Sequence, residues 1–279
     1  MYENFLHSGT DVESAEKATE KLQNKDVALF VITGKLASGK DTIAPLVMEG
    51  ITNSPVQKCY FAEALKKEVS EVIAYLSQLK EDGIITQSGN NVEEYLRQPH
   101  IESIRYNVSL VWKIKEDDAQ VILESLIPAV LSANPPKDAW VRSHEVRKSL
   151  QYWGTDIRRT QDEFYWVNKT TKSTSKIIAE GFSVWLGDGR FPNEMDHSHG
   201  LSAFLSRIEI SEETQRRRLF KRDGLLLTDD AKNHPSETAL DNYPNFDVVV
   251  NNDVDDSAGS NIEIEKVSSK IIESYKEKM

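Results

Sequence analysis

Apolar residues in this chain follow two rhythms. Short apolar-rich stretches predict strands at about 26–33, at Val56–Phe61, at Phe182–Leu186, at Phe204–Ile210 and at Phe246–Val250. Between them lie stretches with apolar positions three and four residues apart. One predicts a helix over Ala62–Leu79, with Leu65, Val69, Val72, Ile73 and Leu76 on one face. Others predict helices after the first strand to about Glu49, at Asp117–Leu131, Arg142–Trp153, Gln161–Ile178, Glu212–Arg222 and Ile262–Tyr275. Asn134-Pro135-Pro136 ends the second of these, and Gly83, Gly89 and Pro99 mark 81–110 as irregular. Residues 1–25 are polar and read as an extension, either loose or with a short surface helix over Ser14–Leu22. Strands alternating with helices predict an α/β fold: a parallel sheet with helices on both faces.

The first strand runs directly into Gly34-Lys35-Leu36-Ala37-Ser38-Gly39-Lys40-Asp41-Thr42. Two glycines with four residues between them, followed by lysine, let main-chain N–H groups turn inward around a phosphate. A helix opening near Lys40 adds the positive end of its dipole. The alternative is a glycine-rich turn joining strand to helix. Asp41 stands where switch and motor NTPases carry the magnesium-binding hydroxyl, and Thr42 lies one step later. Pro45 should bend the following helix slightly.

Three further clusters carry candidate chemistry. Asp188-Gly189-Arg190-Phe191-Pro192-Asn193-Glu194 ends a buried strand, where open α/β sheets place ligands. Asp188 there could hold magnesium or act as a base, and Arg190 offers a fork to phosphate; the alternative has Asp188 capping the helix near Pro192. Arg147 to Asp156 combines Gln151, Thr155 and Asp156 with Tyr152 and Trp153, groups able to stack on a base and bond its edge. The competing reading is an amphipathic helix with Leu150 and Trp153 inward and Gly154 as its C-cap. Arg216, Arg217, Arg218, Lys221 and Arg222 sit on one short helix, either as a solvated face or with one of them on phosphate.

A net charge of −11 argues against a surface built to coat nucleic acid. The single cysteine, Cys59, excludes a disulfide framework and a thiolate metal centre, and His197 and His199 lack ligand-like partners. No apolar run approaches membrane-spanning length and the N-terminus lacks a signal-peptide core, so a cytoplasmic protein without membrane partners is expected.

Taken in order, five blocks resemble the deoxynucleoside monophosphate kinases of bacteriophages and prophages. They are Gly34–Thr42, Arg147-x-x-x-Gln151-x-x-Gly154-Thr155-Asp156, the Asp188–Glu194 run, His234-x-Ser236-Glu237, and Asp247-Val248-Val249-Val250-Asn251-Asn252-Asp253. The resemblance implies a P-loop kinase fold like that of adenylate kinase over 26–279, with a helical insertion and acceptor-binding region at 80–180 and a lid at 211–237. It implies ATP and Mg2+, small-molecule nucleotide substrates, and, for a phage-encoded chain, the host cytoplasm; it allows a homodimer. By the same likeness Lys40, Asp188 and Arg190 lie at the transfer centre. Gly34, Lys35, Ala37, Ser38, Gly39, Asp41, Thr42, Arg218, Asn251 and Asn252 serve ATP, with Thr42 and Asp188 near the metal. Arg147, Gln151, Trp153, Thr155, Asp156, Arg159 and Glu237 serve the acceptor. Gly189 replaces a bulkier residue and should loosen the turn carrying Arg190; Asn-Asn-Asp replaces Asn-Asp-Gly. A kinase like that for dephospho-coenzyme A and a non-catalytic nucleotide-binding module are the alternatives.

Overall fold

The computed structural model describes residues 1–86, 100–140, 143–224, 228, 232–253 and 260–279. The chain forms two compact units, one of residues Met1–Ala62 with Trp166–Met279, the other of Glu63–Tyr165.

The first unit is built on five parallel strands: β1 (Leu29–Gly34), β2 (Val56–Tyr60), β3 (Ser183–Gly189), β4 (Phe204–Glu209) and β5 (Val248–Asn251), in the order β2-β3-β1-β4-β5. β1 is central, and its side chains alternate between two cores because strand residues point to opposite faces. Phe30 and Ile32 pack with Ile43, Val47 and Met48 of α3 (Lys40–Ile51) and Ile271 of the C-terminal helix (Ser260–Lys278). Leu29 and Val31 pack on the other side with Met195 of the helix Pro192–Gly200. Helices therefore cover both faces, as a parallel sheet requires.

The second unit is helical. It contains α4 (Glu63–Glu81), Ile101–Trp112, Glu116–Leu131 and His144–Gln151, the last running without a break into a π-helical segment, Tyr152–Arg159. Val69, Val72, Ile73, Leu76, Ile104, Val108, Ile122, Leu126, Trp153 and Ile157 are its buried apolar residues.

Four expectations change. Residues 1–25 are no loose extension: α1 (Tyr2–His7) and α2 (Val12–Gln23) insert Phe5, Ala15, Ala18 and Leu22 into the core of the sheet unit. Thr10 reinforces this through a hydroxyl contact of 3.1 Å to buried Ser175. The expected irregular region 81–110 contains the helix from Ile101, with 87–99 outside the described residues. Gly154 is not a C-cap. The helix runs on through it into Tyr152–Arg159, and it packs closely on Leu65, whose Cδ2 would lie 2.8 Å from a Cβ at that position. Finally, the helical unit spans Glu63–Tyr165 rather than 80–180, and the following helix (Tyr165–Ala179) begins four residues later than expected. Parts of the expected lid, 225–227 and 229–231, and Arg142 lie outside the described residues. Among the described residues, no helix is long and apolar enough to cross a membrane.

Two outcomes test the packing of the N-terminal helices. Phe5→Ala should cost about 3–5 kcal/mol in denaturant unfolding, whereas a detached extension would leave stability unchanged. His197, on the helix Pro192–Gly200, has its pKa lowered by burial and then by His7 on α1. A depressed folded-state pKa means the stabilisation is present above the ordinary value of 6.5 and is lost as pH falls below it. Unfolding midpoints should therefore decline below that pH, and less steeply in His197→Gln.

Candidate functional site

β1 and β3 are neighbours, yet the helices that follow them lie on opposite faces of the sheet. Such a reversal marks, beyond their carboxyl ends, the crevice position where open α/β sheets bind ligands. The loop Gly34–Gly39 forms one lip and Asp188–Arg190 the other.

The loop is tightly wound. A Cβ on Gly34 would lie 2.6 Å from the Ile208 carbonyl, and one on Gly39, left-handed at φ 90°, would lie 2.6 Å from Asn252 Nδ2. Ala37 is also left-handed, at φ 63°. Three successive carbonyls are held by side chains. Gln215 Nε2 donates to Leu36 O (3.2 Å), Arg218 Nη1 to Ala37 O (3.3 Å) and Asn252 Nδ2 to Ser38 O (2.8 Å). At the loop's end α3 begins; Thr42 N donates to the N-cap Gly39 O (3.0 Å), and the N–H groups of Lys40 and Asp41 precede the first intrahelical bond. Ser38 Oγ is buried and makes no hydrogen bond among the described residues. Lys40 is 5 % exposed, and its Nζ lies 3.6 Å from Asp188 Oδ1.

Asp188 reaches Lys40 through a defect in the sheet. Val31 pairs with Leu186 and Thr33 with Gly189, so β3 carries one extra residue, a bulge at the edge of the crevice. Asp188 itself is left-handed at φ 61°, a conformation aspartate tolerates better than most residues. It does not cap the next helix. Phe191 occupies that N-cap, and the Glu194 carboxylate accepts from the backbone N–H groups of Arg190 (2.6 Å) and Phe191 (3.1 Å). Nor is the turn loose at Gly189, where a Cβ would stand 2.5 Å from the Met195 methyl and 3.2 Å from Thr33 Cγ2. The Arg190 guanidinium donates to Ser236 O (3.2 Å) and pairs with Glu237. Burial opposes its charge, but Glu237, Asp188 and Glu194 outweigh this and raise its pKa further.

Other expected ATP contacts are distributed around this loop. Lys35 pairs with Asp241 (3.0 Å), so the loop uses its main chain there. Asp41 and Thr42 are exposed on the first turn of α3, with Asp41 paired to Lys58 at 2.9 Å. Lys58 was not apparent from sequence; its ammonium lies 4.4 Å from the Trp185 ring centroid and 4.6 Å from that of Tyr60. Asn251 is exposed and donates to Asp253 Oδ2 (3.1 Å). Asn252 is buried and engaged by the loop. Asp253 in turn accepts from Ser211 N (2.6 Å) and Ser211 Oγ (2.7 Å). Burial opposes ionisation of Asp253, yet these donors hold its pKa well below the ordinary carboxylate range.

In the helical unit, Arg147, Gln151, Thr155 and Arg159 are half-buried and Asp156 is exposed. Trp153 is different. It is fully buried, with its indole N–H donating to Glu68 Oε2 (2.9 Å) and its ring edge-on to Trp112. A base cannot stack on it, so Trp153 leaves the set of acceptor contacts and stands as core. Glu68 is the hub there: it also accepts from Arg158 Nε and Nη2 (3.2 Å each) and from the Tyr165 hydroxyl (2.6 Å). Its partners lie 85 to 97 residues away in sequence, which hid them.

The loop, with its outward-tied carbonyls and buried lysine, has the chemistry to receive a polyphosphate. Among the described residues no three His, Cys, Asp or Glu side chains form a metal-binding group. Magnesium bound through one carboxylate, a hydroxyl and substrate phosphates needs no such group, and Asp188 and Thr42 are residues here whose oxygens are of that kind.

Removing Glu68 would leave Arg158 buried without its carboxylate. Glu68→Ala should lower the unfolding free energy by about 3–5 kcal/mol, measured by denaturant titration. No protein-family model matches the chain, and no curated protein matches it.

Proposed function

We propose that the chain is a nucleoside monophosphate kinase of the P-loop type, passing the ATP γ-phosphoryl group to a deoxynucleoside 5′-monophosphate to give the diphosphate. The observation that carries this reading is the buried Lys40 beside Asp188 at the crevice between β1 and β3. The buried ammonium is balanced by Asp188 within the protein and stands at the end of a tightly wound glycine loop, where an incoming phosphate would share it.

In the proposed reaction an oxygen of the acceptor phosphate attacks the γ-phosphorus, and the bond to the ADP oxygen breaks. The protein's work is positioning and neutralising charge. The loop amides and Lys40 hold the triphosphate, and Arg190 stabilises charge on the transferred group. Asp188 and Thr42 would hold magnesium, which supplies further neutralisation of the phosphate oxygens. Arg147, Gln151, Thr155, Asp156 and Arg159 are the proposed acceptor contacts, and Glu237 acts by fixing Arg190. Magnesium-dependent ATP turnover in the presence of deoxynucleotides, in a cytoplasmic setting of nucleotide supply, is what this reading expects.

Lys40→Ala should abolish phosphoryl transfer in a coupled assay across the common and modified deoxynucleoside monophosphates, with the unfolding midpoint close to wild type. Turnover near wild type in that variant overturns the role given to the loop. ATP binding without transfer to any nucleotide would make the chain a binding module instead.

A further inference from the structure

Gln215 and Asn252 are not near each other in sequence, yet each holds one carbonyl of the same short loop: Leu36 O at 3.2 Å and Ser38 O at 2.8 Å. Arg218 holds the carbonyl between them. Gln215 is 9 % exposed and Asn252 2 %. The supporting elements are themselves joined, because Asp253, next to Asn252, binds the N-cap residue Ser211 of the helix that carries Gln215 and Arg218. Asn252 N also donates to Glu209 O at 2.8 Å, fixing the end of β5 against the end of β4. Gly39 leaves the space in which the Asn252 amide sits.

A peptide unit's carbonyl and the N–H of its neighbouring residue point in nearly opposite directions. Tying the carbonyls of Leu36 and Ser38 away from the crevice therefore turns the N–H groups of Ala37 and Gly39 the other way. Ser38 N spends its hydrogen on Lys35 O (3.1 Å), which closes the turn. We infer that Gln215 and Asn252 are positioning residues: their amide N–H groups preorganise the loop for the triphosphate by fixing its carbonyls outward. The inference rests on the nucleotide reading above; it adds Gln215 and gives Asn252, already expected on the ATP side, a role that needs no contact with ATP. The helix Glu212–Asp223 then serves as a brace whose seating sets the loop's shape.

The test compares Gln215→Met, which keeps shape and loses the donor, with Gln215→Lys, which restores a donor, and adds Asn252→Ala. ATP affinity is read by calorimetry, KM for both substrates by steady-state kinetics, and amide hydrogen exchange over 34–42 by mass spectrometry. Gln215→Met and Asn252→Ala should each bind ATP about tenfold more weakly and exchange faster over 34–42. The acceptor KM should stay at the wild-type value, and Gln215→Lys should recover ATP affinity. Should Asn252→Ala not fold, the Gln215 pair decides. Wild-type ATP binding with unchanged affinity in Gln215→Met overturns the inference alone. Absence of ATP binding in the wild type overturns the nucleotide reading and the inference with it.

Discussion

A backbone turn that leaves no room for side chains governs everything proposed for this chain. Between Gly34 and Gly39 the main chain folds back so closely that a Cβ at either glycine would strike a polar neighbour at 2.6 Å. Such a turn is unfavourable by itself, since glycine loses more backbone entropy than any other residue on folding. It persists because the surroundings over-determine it. β1 feeds it from the centre of the sheet, α3 receives it, and three side chains hold its carbonyls. A loop so constrained presents main-chain dipoles without reorganisation when an anion arrives, which is the condition for electrostatic preorganisation.

The second lip follows from the sheet. One extra residue in β3 rotates Asp188 out of the ladder and toward Lys40, while Glu194 takes over the helix cap. The strand bulge, the left-handed aspartate and the substituted cap are separate local costs. Together they leave one carboxylate beside one ammonium at the mouth of the crevice. Glu237 and the Ser236 carbonyl then fix the direction of the Arg190 guanidinium.

Much of this was legible in the sequence where the cause was local. Glycine spacing and the apolar run of β1 announced the loop, and the strands were found within three residues; β1, β3 and β4 are buried almost throughout and apolar-rich, while the edge strands β2 and β5 are partly exposed. Other features were hidden for identifiable reasons. The N-terminal helices bury Ala15 and Ala18, whose small side chains give a weak periodic signal among charged neighbours. The helix from Ile101 has its apolar spacing at Ile101, Ile104 and Val108, but nearby glycines and a proline masked it. For Trp153 the sequence left two readings, a stacking platform beside Gln151 and Asp156 or the inward face of an amphipathic helix, and burial favours the second. Only the distant Glu68, with Trp112, Arg158 and Tyr165, shows it to be a core residue. Similarly, the reading of Gly154 as a C-cap gives way to a point of close approach to Leu65 within a continuous helix.

The central claim is that the main chain between Gly34 and Thr42 grips a triphosphate. Titrating 15N-labelled protein with magnesium and a non-hydrolysable ATP analogue addresses it residue by residue. Saturable shifts of the Gly39, Lys40 and Asp41 amides, larger than those elsewhere in the sheet unit, are the predicted result. Amides over 34–42 that stay unmoved at millimolar analogue would contradict it.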